Sequence, residues 1–144
     1  MKIATLLARV LLGLIFVVFG SNAFLHFIPM PPPAGLAGDY MKALFMSHYY
    51  YVVAVTQVAG GLLVLSGRFA ALGLTLLGPV IVNILCFHIF PNHEGWQLAS
   101  VVAGLALFLL WRYRENFAGL VRDAAPCSNS QTEQITATAE IATK

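Results

Sequence analysis

Six polar side chains interrupt stretches of this 144-residue sequence that are otherwise apolar: Arg9, Asn22, His26, Gln57, Asn83 and His88. Inside hydrocarbon each of these needs a partner or a purpose, because an unsatisfied polar group there is costly. The amides of Asn22, Gln57 and Asn83 can donate hydrogen bonds to a ligand carbonyl. Histidines relay protons, and two on facing helices can hold a haem iron. An arginine near the membrane face can hold an anionic or carbonyl group. Asn22 and His26 are four residues apart and share one helix face. Arg9, Gly13, Phe16 and Gly20 fall on one stripe, whose glycines let a neighbouring backbone approach. Gly78-Pro79 precedes Asn83 on a common face, and Pro79 removes a helix donor, so a kink with an amide beside it is expected.

Each group also has a purely structural reading. Arg9 can snorkel to the headgroups. Gln57, four residues before Gly61, can tie two helices together. His26 and His88 can hydrogen-bond locally near the outer interface. His93 and Glu94 sit in a short turn with too few ligands around them for a metal, so no metal site is expected. Cys86 lies in an apolar run, where it is expected to pack as a small hydrophobe, and Cys127 lies in a polar tail, which supports neither a disulfide framework nor a redox motif. There is no nucleotide-binding loop, zinc signature or serine-hydrolase elbow. No Asp or Glu falls inside an apolar run, which argues against a carboxylate-driven transporter.

The elements that must position these residues are membrane helices. The chain is 59% hydrophobic and 10% charged, with a mean hydropathy of +0.80, whereas a soluble domain carries about 25% charged residues. Four apolar runs, at about residues 3–27, 49–66, 69–90 and 97–113, approach or exceed the ~20 residues needed to cross a bilayer. They are continuous rather than alternating, so helix is expected over barrel strand. Pro29, Pro31, Pro32 and Pro33 are expected to end the first helix. A short interfacial helix is expected at 39–45, within the longest loop. Ser66-Gly67-Arg68 forms a tight turn that makes the second and third spans antiparallel neighbours. Residues 1–115 form the membrane domain. Residues 116–144 form a polar cytoplasmic tail whose stretch from 124 lacks a core-forming pattern and is expected to be disordered.

Lysine and arginine set the orientation. Lys2 and Arg9, then Arg68, then Arg112, Arg114 and Arg122 all fall on one side of a four-span chain. The expected fold is therefore an all-α, polytopic four-transmembrane-helix bundle with both termini cytoplasmic. Tyr49, Tyr50, Tyr51 and Trp96 would then sit at the outer interface, and Trp111 and Tyr113 at the inner one. On this orientation Asn22, His26 and His88 lie in the outer half and Gln57 and Asn83 near the middle, where they could line an outward-facing pocket. A cleaved signal peptide with a processing site near Ser21-Asn22-Ala23 is the alternative for the first run. Arg9 is deep for such a segment, and apolar residues continue through Phe24, Leu25 and Phe27.

Three stretches carry a family likeness. They are Ala8-Arg9-Val10-Leu11-Leu12-Gly13-Leu14-Ile15-Phe16, the run from Gln57-Val58-Ala59-Gly60-Gly61 to Ser66-Gly67-Arg68, and Gly78-Pro79-Val80-Ile81-Val82-Asn83 through His88. In that order and spacing the chain resembles the DoxX-like family of small four-helix membrane proteins over about residues 1–115. The resemblance implies a four-helix fold in a bacterial or archaeal inner membrane. The family takes its name from a subunit of a quinone-linked respiratory sulfur oxidoreductase, and many members have no assigned activity. It offers no catalytic signature to place on this chain, so catalytic residues stay unknown.

The expected function is that of a non-autonomous or quinone-interacting subunit of a membrane oxidoreductase complex. Its expected partners are the bilayer and membrane or peripheral oxidoreductase subunits. Quinone is the expected cofactor, ahead of haem. The alternatives are a scaffold with no ligand and a small-solute permease component, which would have to oligomerise to enclose a path. A net charge of +2 gives no reason to expect a nucleic-acid partner.

Overall fold

The structure is a computed structural model that describes residues 2–29, 31, 33–91 and 95–121, with side chains through Phe117. The expected tail from 124, Cys127, His93 and Glu94 lie outside the described residues. Six helices follow in order: α1 (Lys2–Leu25), α2 (Gly35–Met46), α3 (Tyr49–Ser66), α4 (Ala70–Ile89), α5 (Trp96–Arg112) and α6 (Arg114–Val121). No strand occurs among the described residues.

Three of these helices, α1, α3 and α4, are long and apolar enough to cross a membrane, with mean hydropathies of 2.4, 1.5 and 2.2. No more than a third of any of these spans is buried inside the protein. Large apolar side chains such as Leu7, Leu11, Leu14, Val55, Leu62, Leu72 and Val82 point outward. An outward face this apolar fits lipid contact. The hydroxyls of Thr56 and Thr75 bond back to the carbonyls of Val52 and Ala71, at 2.8 and 3.0 Å, so neither is left bare on such a face. Helix α5 is also apolar but has 17 residues.

The four apolar helices close a ring. α1 packs on α3 and α5, and α4 packs on the same two, which leaves α1 diagonal to α4. Their shared core includes Leu12 and Phe16 of α1, Val64 of α3, Leu74 and Leu77 of α4, and Val102 and Leu109 of α5. Glycines set the closest approaches. A Cβ at Gly61 would lie 2.9 Å from the Gly13 carbonyl oxygen, and one at Gly73 would lie 2.8 Å from the Gly60 carbonyl oxygen. Those pairings run α3 antiparallel to both α1 and α4. The turn from α3 to α4 is as tight as expected, with Gly67 at φ +73°.

The structure departs from the sequence reading at several connections. α1 stops at Leu25, before the prolines, because His26 takes the left-handed conformation at φ +51° and closes the helix end. The interfacial helix is longer than 39–45, since Gly35 starts it at φ +64°. As the single apolar run at 69–90 predicts, α4 runs as one helix through Gly78 and Pro79. Cys86 faces outward on α4 instead of packing inside. After α5, α6 follows at Arg114–Val121, and Phe117 packs back on the core.

Candidate functional site

The five pocket candidates are distributed over different faces of the ring. Asn22 is the one buried polar side chain among the described residues. Its Oδ1 accepts the Ile28 backbone N–H at 2.7 Å, and its Nδ2 donates to the Ile28 carbonyl at 3.1 Å. Both ends of the amide therefore serve the backbone that leaves α1. This clamp stands in for the helix hydrogen bonds that the chain loses as it turns at His26. The available sequence signal was an asparagine six residues ahead of Ile28-Pro29, a spacing that no standard cap motif covers.

His26 lies just past the helix end, exposed, and its backbone N–H donates to the Asn22 carbonyl at 2.9 Å. His88 is half-buried on α4, edge-on to Phe87 at 5.4 Å, and packs beside Gly95 at the start of α5. His26 thus follows the end of α1, and His88 lies on α4, the helix diagonal to α1 in the ring. Gln57 is half-buried on the α1–α3 seam, where its Cβ closes on Gly20. Among the described residues no group of three His, Cys, Asp or Glu side chains is placed to hold a metal ion.

Asn83 differs from the others. It lies on the outward face of α4 with Thr75, Pro79, Val82 and Cys86. The Tyr40 hydroxyl, from α2, donates to its Oδ1 at 3.3 Å. The Tyr40 ring also packs against Phe87 at 5.7 Å. The two Nδ2 donors of Asn83 have no partner among the described residues. Tyr40 was not among the residues singled out from the sequence, because only the tertiary fold brings α2 over α4.

An apolar groove of about 380 Å³ opens between α1 and α3, lined by Ser21, Phe24, Leu25, Val55, Ala59 and Leu62 among others. None of the five candidates lines it. At the other end of the bundle, the Arg9 guanidinium covers Gly67, and its Nε is buried with no hydrogen-bond partner among the described residues.

No family model matches the chain, and no solved structure matches it. The chain is similar to Uncharacterized protein YwoB of Bacillus subtilis (strain 168), at 31% identity over 77 residues. That match covers 53% of this chain and 50% of the relative. The chain therefore spans about half the length of the curated relative it matches.

Proposed function

We propose that this chain is a DoxX-like, four-span inner-membrane protein with both termini cytoplasmic, acting as a non-autonomous, quinone-interacting subunit of a membrane oxidoreductase complex. The reading rests chiefly on the Tyr40–Asn83 pair. An amide with two unused donors on a lipid-facing surface is poorly placed for packing and well placed to meet a carbonyl oxygen arriving through the bilayer. A quinone head is such a group. Phe87 beside the pair offers an aromatic wall for its ring. Helix α5 serves as the fourth span: its 17 residues reach about 26 Å at ~1.5 Å each, against a hydrocarbon core of ~30 Å. Trp96 and Trp111 near its two ends suit the two interfaces. The three sequence stretches of DoxX-like character support the family.

The test is organic extraction and an absorption spectrum of the full chain purified in mild detergent. Quinone should co-purify with the natural sequence, fall with Tyr40→Phe and vanish with Asn83→Leu. A colourless protein with no extractable quinone, or full occupancy in Asn83→Leu, would refute the reading.

A scaffold with no ligand is the second reading, and Asn22 favours it. The most buried of the polar candidates commits both its Oδ1 and its Nδ2 to the chain's own backbone, so polar groups here serve the fold first.

A further inference from the structure

The end of the bundle opposite the Tyr40–Asn83 pair carries more positive than negative side chains among the described residues, and Arg9 has no ion-pair partner among them. Arg9 projects from α1 to the α3–α4 turn, where its guanidinium packs against Gly67. A Cβ at Gly67 would overlap Nη1 and would lie 2.6 Å from Cζ. The side chain is half-buried, and among the described residues its buried Nε has no hydrogen-bond partner and its guanidinium no ion pair. A guanidinium cannot shed its proton to relieve this. A partly desolvated charge of that kind calls for an anion.

The surroundings repeat the demand. Arg68 stands in the same turn, exposed, with its guanidinium 5.7 Å from the Phe69 ring centre. Lys2, Arg112 and Arg114 are at the same end. Of the two acidic residues among those described, Asp39 is on α2 at the other end, and Glu115 follows Arg112 and Arg114 on α6. Helix α4 starts immediately after the turn with no side-chain cap and no acidic residue in its first turn, so its free N–H groups add to the positive field.

We propose that Arg9 and Arg68, at the start of α4, hold the phosphate of an anionic phospholipid. The phosphate-binding chemistry follows from two guanidiniums at one turn, Arg9 against Gly67 and Arg68 in the turn itself. A lipid is favoured over a free anion by what flanks the turn. Leu6 and Leu7 of α1, with Phe69 and Leu72 on the other side, all point outward, so an incoming phosphate meets the site at an apolar boundary where acyl chains would lie. The inference uses the membrane-spanning part of the functional reading and is independent of the quinone contact.

The experiment is native mass spectrometry of the full chain, stripped of lipid in detergent and then offered equal phosphatidylglycerol and phosphatidylcholine. The natural sequence should retain phosphatidylglycerol in preference by roughly tenfold, the worth of one charge-assisted contact. Arg9→Gln should abolish the preference, and Arg9→Lys should restore part of it by keeping the charge. Circular dichroism in the same detergent verifies folding. If Arg9→Gln does not fold, the exposed Arg68→Gln decides, and its preference must fall. Equal retention of both lipids, or an unchanged preference in the folded variants, overturns the proposal. Displacement of phosphatidylglycerol by excess inorganic phosphate overturns the lipid assignment in favour of a soluble anion. Quinone extracted from the same sample reports separately on the functional reading, so each can fail alone.

Discussion

The inward side of α1 and α3 and the outward face of α4 use the same residue types to opposite ends. Inside, Gly61 lets α3 meet α1, Gly60 lets it meet Gly73 of α4, and Asn22 commits both its Oδ1 and its Nδ2 to Ile28. Outside, a Cβ at Gly78 on α4, or at Gly104 on the neighbouring α5, would meet nothing beyond its own helix, and Asn83 keeps two donors unused. A glycine or an asparagine in a membrane helix is therefore not informative by its type. Its radial position decides whether it packs, clamps or waits for a partner.

The contrast can be broken at four positions. Gly73→Val should do the most damage, because the new side chain would meet backbone atoms, the Gly60 oxygen and the Val64 nitrogen, each at 2.8 Å. Overpacking of this kind costs ~3 kcal/mol, which denaturant titration in detergent would read as a large loss of midpoint. Next comes Asn22→Ala. It strips both partners from Ile28 and should destabilise by about 1–3 kcal/mol. An unaltered midpoint would mean that the clamp is dispensable.

Asn83→Leu should have a smaller effect. It loses one long hydrogen bond to Tyr40, worth less than ~1 kcal/mol, while quinone occupancy disappears. A loss of stability as large as that of Asn22→Ala would move Asn83 from the binding class to the packing class. Gly104→Ala is the mildest change and sharpens the comparison by being harmless. The space is open, and replacing a mid-helix glycine should be neutral or stabilise by ~0.5–1 kcal/mol. Marked destabilisation in detergent would imply that a partner covers this face.

Much of the architecture was readable from residue order. Tyr49–Ser66 is bounded as the apolar run predicts, because an aromatic cluster and a Ser-Gly-Arg turn mark its ends. The end of α1 was not readable in the same way. The prolines looked like the stop, yet His26 and Asn22 end the helix earlier through a left-handed residue and a side-chain clamp that depend on the three-dimensional path of Ile28. The candidate site was legible in part. The polar residues inside the apolar runs could be named, but the face each one occupies could not.

What the sequence determined by itself is the all-helical, lipid-compatible character of the chain. Long uncharged apolar runs can satisfy their backbone in hydrocarbon as helices, whatever their neighbours are. What only the tertiary structure decided is how the polar residues are allotted. Whether an amide faces a neighbouring helix, its own departing backbone or the surrounding medium depends on how helices rotate against one another, and close contacts at Gly61, Gly73 and Gly67 set that rotation. The same ring geometry put Tyr40 on Asn83 and left Arg9 over the turn between α3 and α4.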